Sequence, residues 1–164
     1  MSYLRFLAMI VVSTIIMYGL MYFNTWSVDH VFYSQTRMWM ALLMGGAMAV
    51  VMISFMWGMY ESRLLNACIV VTGTLVFLGS LWLVRSQATV DDVAYMRAMI
   101  PHHSIAVMTS DRAHIRDPRV RKLADGILEA QVREIGEMKQ LIADLKQSPP
   151  LPNVRDLPPK QVGQ

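Results

Sequence analysis

The sequence has 164 residues, of which 54% are hydrophobic and only 16% are charged. Soluble domains usually carry roughly a quarter of charged residues, so this composition excludes an ordinary soluble protein and predicts a membrane protein. The net charge is only +3, and the part after residue 85 holds eleven basic and ten acidic side chains. No nucleic-acid-binding surface is therefore expected. With Cys68 as the single cysteine, no disulfide can form within one chain.

Three apolar segments are long enough to cross a bilayer, and they cover residues 6–23, 38–60 and 64–84. Tryptophans near their ends are typical of side chains that lie at the membrane interface. We read the first segment as a retained helix, because no Ala-x-Ala cleavage site follows it. The sequence thus predicts a membrane domain over residues 1–85, with three transmembrane helices and the lipid bilayer as a partner.

The second apolar segment carries a methionine every fourth residue. The stripe consists of Met40, Met44, Met48, Met52 and Met56. Such a ladder of thioethers has two interpretations, a path for Cu(I) or adaptable apolar packing. No His, Cys or carboxylate interrupts the stripe, which favours packing. Beside it, Ala41, Gly45 and Ala49 form a small-residue face suited to close helix contact.

After residue 85 the composition changes, and two amphipathic helices are predicted over about 90–112 and 117–146. Thr89 with Asp92 is expected to start the first helix, and Asp117 followed by Pro118 the second. Pro101 is expected to kink the first helix or break it for one turn. We predict a helical hairpin domain over residues 86–147. The five prolines of residues 148–164 predict an extended or disordered tail.

Side chains that bind metals are concentrated around residue 100. His102 and His103 are adjacent, Met96 and Met99 precede them, and Met108 follows. In a helix, Met99 is one turn from both histidines. Imidazole suits copper, zinc, iron and nickel, and thioether narrows the choice towards Cu(I). The alternative interpretation is that the methionines fill a core and the histidines lie on a helix surface.

Polar residues also interrupt the apolar faces of both predicted hairpin helices. His103 falls in the first face, and Gln131 and Glu134 fall in the second, next to Met138. Antiparallel packing would bring His103 and Glu134 to about the same level. A buried carboxylate costs several kcal/mol unless it is paired or metal-bound. Three roles stay open for Glu134: binding a metal, pairing with an Arg or His, or orienting an imidazole. His30 is read as an isolated loop residue without a function.

Residues 90–146 resemble the domain of unknown function 305 family. The resemblance lies in Met-Ile-Pro-His-His at residues 99–103 and Gln-x-x-Glu-Ile-x-x-Met at residues 131–138. The family often continues its histidine pair with Gln, where this chain has Ser104. The resemblance implies a small ferritin-like helical fold and copper handling outside the bacterial cytoplasm. It says nothing about residues 1–85.

A two-helix hairpin is too small to bury its apolar faces alone. We therefore expect an all-α protein whose hairpins dimerise into a ferritin-like four-helix bundle, giving a homodimer or a larger homo-oligomer. With three spans the termini lie on opposite sides of the membrane. The resemblance favours a bacterial inner (plasma) membrane with the hairpin on the periplasmic side.

The expected function is a membrane-anchored copper-binding protein that stores, buffers or delivers Cu(I), together with a copper-handling partner protein. The expected metal ligands and supporting residues are His102, His103, Met99, Met96, Met108, Gln131, Glu134 and Met138. No catalytic residue is predicted. A ferritin-like metal oxidase is less favoured, since such sites use Glu-x-x-His pairs and the sequence has none. A structural or assembly subunit of a membrane complex is the other alternative.

Overall fold

The computed structural model describes residues 2–150, 155–158 and 160. Over these residues the chain is helical and contains no strand, which confirms the all-α prediction. The helices are α1 (Tyr3–Leu20), α2 (Gln35–Phe55), α3 (Arg63–Ser86), α4 (Asp92–Arg112) and α5 (Pro118–Gln147). Short 3-10 turns lie at Val28–His30 and Trp57–Met59.

Helices α1, α2 and α3 are each long and apolar enough to cross a membrane, as the sequence predicted. All three begin with the same chemistry. The side chains of Ser2, Ser34 and Ser62 each accept a hydrogen bond from a backbone N–H of the first helical turn. These caps satisfy donors that have no partner within a helix and therefore fix where each helix starts.

Helix α2 lies between the other two membrane helices, and two adjacent glycines face opposite neighbours. A Cβ atom on Gly45 would lie 2.6 Å from the Thr14 hydroxyl oxygen of α1. A Cβ atom on Gly46 would lie 2.7 Å from the Gly73 carbonyl oxygen of α3. Backbone therefore approaches backbone directly at the α2–α3 contact, as in small-residue packing between membrane helices.

The start of α1 is held against the α2–α3 connection. The Tyr3 hydroxyl lies 3.0 Å from the Ser62 carbonyl oxygen and 2.9 Å from Asn66 Oδ1. Asn66 is fully buried, and its amide donates to the Trp57 carbonyl at 3.1 Å. These bonds gather the start of α1, the end of α2 and the start of α3 at one end of the helices, while α4 begins at the other.

The start of the hairpin differs in one detail from the sequence prediction. Asp91, rather than the Thr89–Asp92 pair, caps α4 by accepting from the Ala94 N–H at 2.7 Å. At α5 the prediction is confirmed, because Asp117 caps the helix and Pro118 occupies its first turn. Residues 155–158 and 160 of the predicted tail are exposed and form no helix or strand. Residues 151–154, 159 and 161–164 lie outside the described residues.

Of the two expectations for Pro101, the one-turn break is wrong, since α4 is one continuous helix with Pro101 inside it, and the kink stays a prediction. Proline supplies no N–H, so the carbonyl four residues earlier loses its usual partner. The Pro101 side chain is fully buried. Apolar contact around the ring offsets the lost hydrogen bond, and the helix continues.

The core of the hairpin is formed by α4 and α5. Met96, Ile100 and Val107 of α4 pack with Ile135 and Ile142 of α5. Partly buried Phe32, from the connection between α1 and α2, packs against the same cluster. The hairpin core is thus shared with a segment of the membrane domain.

We predict that Gly46→Ala destabilises the membrane domain, because the new methyl group meets α3 backbone that cannot move aside. Overpacking of this kind costs about 1–3 kcal/mol. Thermal unfolding of the purified protein in mild detergent measures the effect. Gly79→Ala in α3 is the matched control, because a Cβ atom there meets nothing within 4 Å. Equal stability of the two variants would contradict the backbone contact between α2 and α3.

Candidate metal centre

His103 is held between two hydrogen-bond acceptors. Its Nδ1 atom lies 3.0 Å from the Met99 carbonyl oxygen, one turn earlier in α4. Its Nε2 atom lies 2.8 Å from Oε2 of Glu134 on α5. A carbonyl oxygen only accepts, so Nδ1 carries a proton and donates it. The antiparallel packing therefore joins the two polar residues that interrupt the apolar helix faces.

The two side chains of the His103–Glu134 pair differ in their exposure to solvent. The His103 side chain is only 12% exposed, whereas that of Glu134 is 41% exposed. Both ring nitrogens are hydrogen-bonded in either of two arrangements. In one, the ring is an imidazolium and Nε2 donates to the Glu134 carboxylate. In the other, the Glu134 carboxyl carries the proton and donates it to Nε2. The imidazole is thus fixed by the protein, while the carboxylate retains contact with solvent.

His102 is exposed, in contrast to His103. The two ring centroids are 6.2 Å apart with an interplanar angle of 67°. Neighbouring side chains on a helix point about 100° apart, and the continuous helix at Pro101 does not turn His102 inwards. The structure therefore does not bring the two imidazoles together between the helices.

The methionines and Gln131 occupy different places. Met96 is buried in the hairpin core, and Met138 packs against the same cluster from α5. Met99 and Met108 are half-buried on α4. Gln131 lines a shallow depression on α5 together with Leu123 and Ile127. In the described part of the chain no three His, Cys, Asp or Glu side chains are grouped closely enough to hold a metal ion.

Ser104 attaches the α1–α2 connection to the hairpin. Its side chain is fully buried. The Ser104 hydroxyl accepts a hydrogen bond from the backbone N–H of Trp26 at 2.7 Å and lies 2.9 Å from Nδ1 of His30. Sequence analysis missed this role of His30, because no local pattern relates residues so far apart. The one signal was Ser104 itself, where the resembled family often has Gln.

Charged groups reinforce this contact. Lys139 of α5 donates to Asp29 at 2.5 Å, and this bond lowers the pKa of Asp29 to about 2. Burial lowers the pKa of the neighbouring His30 below its usual value, with Asp29 opposing the shift and Lys139 adding to it. The Arg112 guanidinium lies 5.2 Å from the centre of the Trp26 ring. The connection therefore contacts both helices of the hairpin.

Docking of the α1–α2 connection is predicted to weaken in acid. A histidine whose folded pKa lies below its unfolded pKa favours the folded state above the unfolded value, about 6.5. That stabilisation is lost as the pH falls from 6.5 towards the lower folded pKa. The unfolding temperature is measured between pH 7.5 and 5 for the intact chain and for His30→Asn. The variant is expected to lose part of the pH dependence. Identical pH profiles would contradict a buried neutral His30.

Comparisons with known proteins agree with the sequence resemblance. Residues 92–161 match the family described as domain of unknown function (DUF305). An uncharacterized protein of Acanthamoeba polyphaga mimivirus is 34% identical over 113 residues, which cover 66% of this chain and 70% of the relative. A span of that size is longer than residues 92–164, so the similarity extends into the membrane domain. No solved structure matches the chain significantly. The chain belongs to the domain of unknown function 305 family, and the match to that family covers the α4–α5 hairpin and the residues that follow it.

Proposed function

We propose that this chain is a membrane-anchored protein that binds copper as Cu(I) in its α4–α5 hairpin. Its role would be to store, buffer or deliver the ion. The observation that most supports this proposal is the hydrogen bond from His103 Nδ1 to the Met99 carbonyl. Metal-binding histidines commonly donate one ring N–H to a carbonyl or carboxylate, which fixes the tautomer and leaves the other nitrogen for the metal.

The methionines of the hairpin suit a soft monovalent ion. Met96 and Met138 come from different helices and share the hairpin core, and Met99 lies one turn before His103 in α4. Neutral imidazole and thioethers bring no charge of their own, which favours Cu(I) over divalent ions. In this proposal His102 is a supporting candidate, because its exposed ring points away from His103. Met108 and Gln131 remain supporting candidates.

In the proposed site, copper binding is coupled to the release of the proton between Glu134 and His103. Without metal, Oε2 of Glu134 lies 2.8 Å from Nε2 of His103, and the two atoms share one proton. Copper needs the lone pair on that nitrogen, so binding would displace the proton and release the carboxylate towards solvent. The partial exposure of Glu134 supports this movement, because the carboxylate stays hydrated when it leaves His103. Binding would therefore weaken as the solution becomes more acidic.

The proposal places the protein in a bacterial inner membrane, with the hairpin on the periplasmic side and a copper-handling protein as exchange partner. Three helices able to cross a membrane support the membrane location. The extracytoplasmic orientation rests on the resemblance to exported members of the family. Self-association of the hairpin belongs to the same proposal.

A structural or assembly role is the competing proposal, and one observation favours it. Both nitrogens of His103 already have protein acceptors, so the His103–Glu134 pair can act simply as a tie between α4 and α5. In that role, removing one partner would destabilise the protein, by less than for a fully buried pair because Glu134 is 41% exposed. Metal affinity and stability of the same variants therefore distinguish the two roles.

We predict that His103→Ala lowers Cu(I) affinity at least tenfold, because it removes the positioned nitrogen. A competition titration with a Cu(I) chelator measures this. Glu134→Gln is expected to retain copper binding at neutral pH, because it leaves the positioned nitrogen of His103 in place. His114→Ala, at the exposed turn between α4 and α5, is the control.

Two outcomes would contradict the copper proposal. One is unchanged affinity in both His102→Ala and His103→Ala. The other is an intact chain that binds no copper, combined with a loss of stability in His103→Ala and Glu134→Gln. That combination would establish the structural role. If the copper-loaded protein consumed oxygen catalytically in the presence of a reductant, its function would be that of an oxidase instead of a storage protein.

The methionine stripe of α2 is predicted to serve packing. Met52 and Met56 pack against the cluster of Phe6, Ile53 and Tyr60, as apolar filler would. Met44→Leu, Met48→Leu and Met52→Leu together should leave copper tolerance of expressing cells unchanged, since Leu and Met have similar volumes. Expression level and the His103→Ala variant serve as controls. Lower tolerance at normal expression would make the stripe part of a copper path.

A further inference from the structure

A groove lies between α1 and α3 along one face of α2. Its floor consists of Leu42, Gly45, Gly46 and Ala49, which recur at helical spacing on α2. Side chains of α1 and α3 form the two walls. The groove has a volume of about 610 Å³, and small-molecule sites in proteins usually occupy about 300–1,000 Å³. The three membrane helices therefore leave a space of ligand size between them.

The chemistry of this groove suits a hydrocarbon. Its lining is almost entirely apolar and includes no charged side chain. The Tyr3 hydroxyl donates to the Ser62 carbonyl at 3.0 Å, and the Thr14 hydroxyl donates to the Ile10 carbonyl at 2.8 Å, so both are bonded within the chain. A polar ligand would give up hydrogen bonds to water on entering such a space and would regain few of them.

The groove is about as long as one leaflet of a bilayer. It extends from Tyr3 to Ile15 along α1, which is twelve helical steps or about 18 Å, and from Leu65 to Val76 along α3, which is eleven steps or about 17 Å. The hydrocarbon core of a bilayer is about 30 Å thick, so one leaflet supplies about 15 Å. A transmembrane helix of a partner runs through both leaflets, whereas an acyl chain ends within one.

The small residues of the groove are already used for packing inside the chain. A Cβ atom on Gly45 would lie 2.6 Å from the Thr14 hydroxyl oxygen, and one on Gly46 would lie 2.7 Å from the Gly73 carbonyl oxygen. Close approach of another helix in a membrane depends on small residues at the contact surface. These glycines serve α1 and α3 in that way, so they do not favour a further helix as the occupant.

The groove is continuous with the surface that these helices present to lipid. Leu7, Ile15 and Leu65 of its walls are exposed, on helices that are long and apolar enough to cross a membrane. An unfilled groove forfeits the dispersion contacts of its lining atoms. In a bilayer, the material that surrounds the groove and can supply those contacts is lipid hydrocarbon.

We propose that the groove binds one acyl chain of a bilayer lipid from the leaflet at which α1 and α3 begin. The lipid headgroup then lies at the level of Tyr3 and Leu65, and the end of the chain lies near Ile15 and Val76. The bound chain fills the space between the first and third helices along one leaflet. This inference concerns the membrane domain alone and does not rest on copper binding.

The first test counts the lipids that stay with the full chain. The protein is taken from phosphatidylglycerol nanodiscs into mild detergent and weighed by native mass spectrometry. One phospholipid for each chain is expected to remain after detergent exchange has removed the others. Thr72→Phe places a ring in the groove and is expected to lower the retained fraction about tenfold. Thr74→Phe is the matched control, because Thr74 is exposed on α3 but does not line the groove.

The second test locates the bound chain without changing the protein. Phosphatidylglycerol is prepared with a photoreactive diazirine either near the glycerol end or near the methyl end of one acyl chain. After illumination in nanodiscs, peptide mapping should find the first label near Leu65 and the second near Val76. Val71 and Leu75 are exposed on α3 outside the groove and should carry less of either label.

Several results would overturn the proposal. An intact chain that retains no lipid would exclude a bound chain, and equal retention by Thr72→Phe and Thr74→Phe would place the lipid elsewhere. Labels spread evenly over the exposed positions of α3 would mean ordinary bilayer lipid, and a reversed order of the two labels would mean the opposite leaflet. A second protein chain that is retained by the intact protein and lost in Thr72→Phe would make a helix the occupant. Because the labelling uses the unaltered chain, it decides the question even when a variant folds poorly.

Discussion

The arrangement of this protein depends on two adjacent residues of α4. His103 bonds Glu134 of α5, and Ser104 bonds Trp26 and His30 of the α1–α2 connection. Successive helical side chains point about 100° apart, so neighbouring positions serve different neighbours. One turn of α4 thus joins the second hairpin helix to the membrane domain. The packing of Phe32 on the hairpin core and the Lys139–Asp29 bond add to these attachments.

The sequence was a good guide wherever local pattern determines structure. Apolar length predicted the three membrane helices, and the Asp117–Pro118 pair predicted the start of α5. The two polar interruptions, His103 and Glu134, were correctly expected near one level because helix geometry relates position to height. The expected one-turn break at Pro101 was wrong, because a propensity argument does not include the burial of its ring.

What the sequence did not reveal are contacts between distant segments. His30 and Ser104 are 74 residues apart, and no periodicity links them. Similarly, the apolar residues of α5 formed one broad stripe in the sequence, but the fold divides them into a buried side with Ile135 and an exposed side with Leu123. Which part of an amphipathic helix is covered depends on the direction from which its neighbour approaches, and tertiary packing decides this.

The contact between the α1–α2 connection and the hairpin also has a mechanical consequence. A domain joined to the bilayer by one flexible link can swivel and tilt. Here the short segment between α3 and α4 provides one attachment. The α1–α2 connection provides another, through the bond of Asp29 to Lys139 and the contacts of Trp26 and His30 with Ser104. Two separated attachments remove most rotational freedom. The hairpin is therefore held at one height and in one orientation relative to α1, α2 and α3, and His103 keeps one direction relative to these three helices.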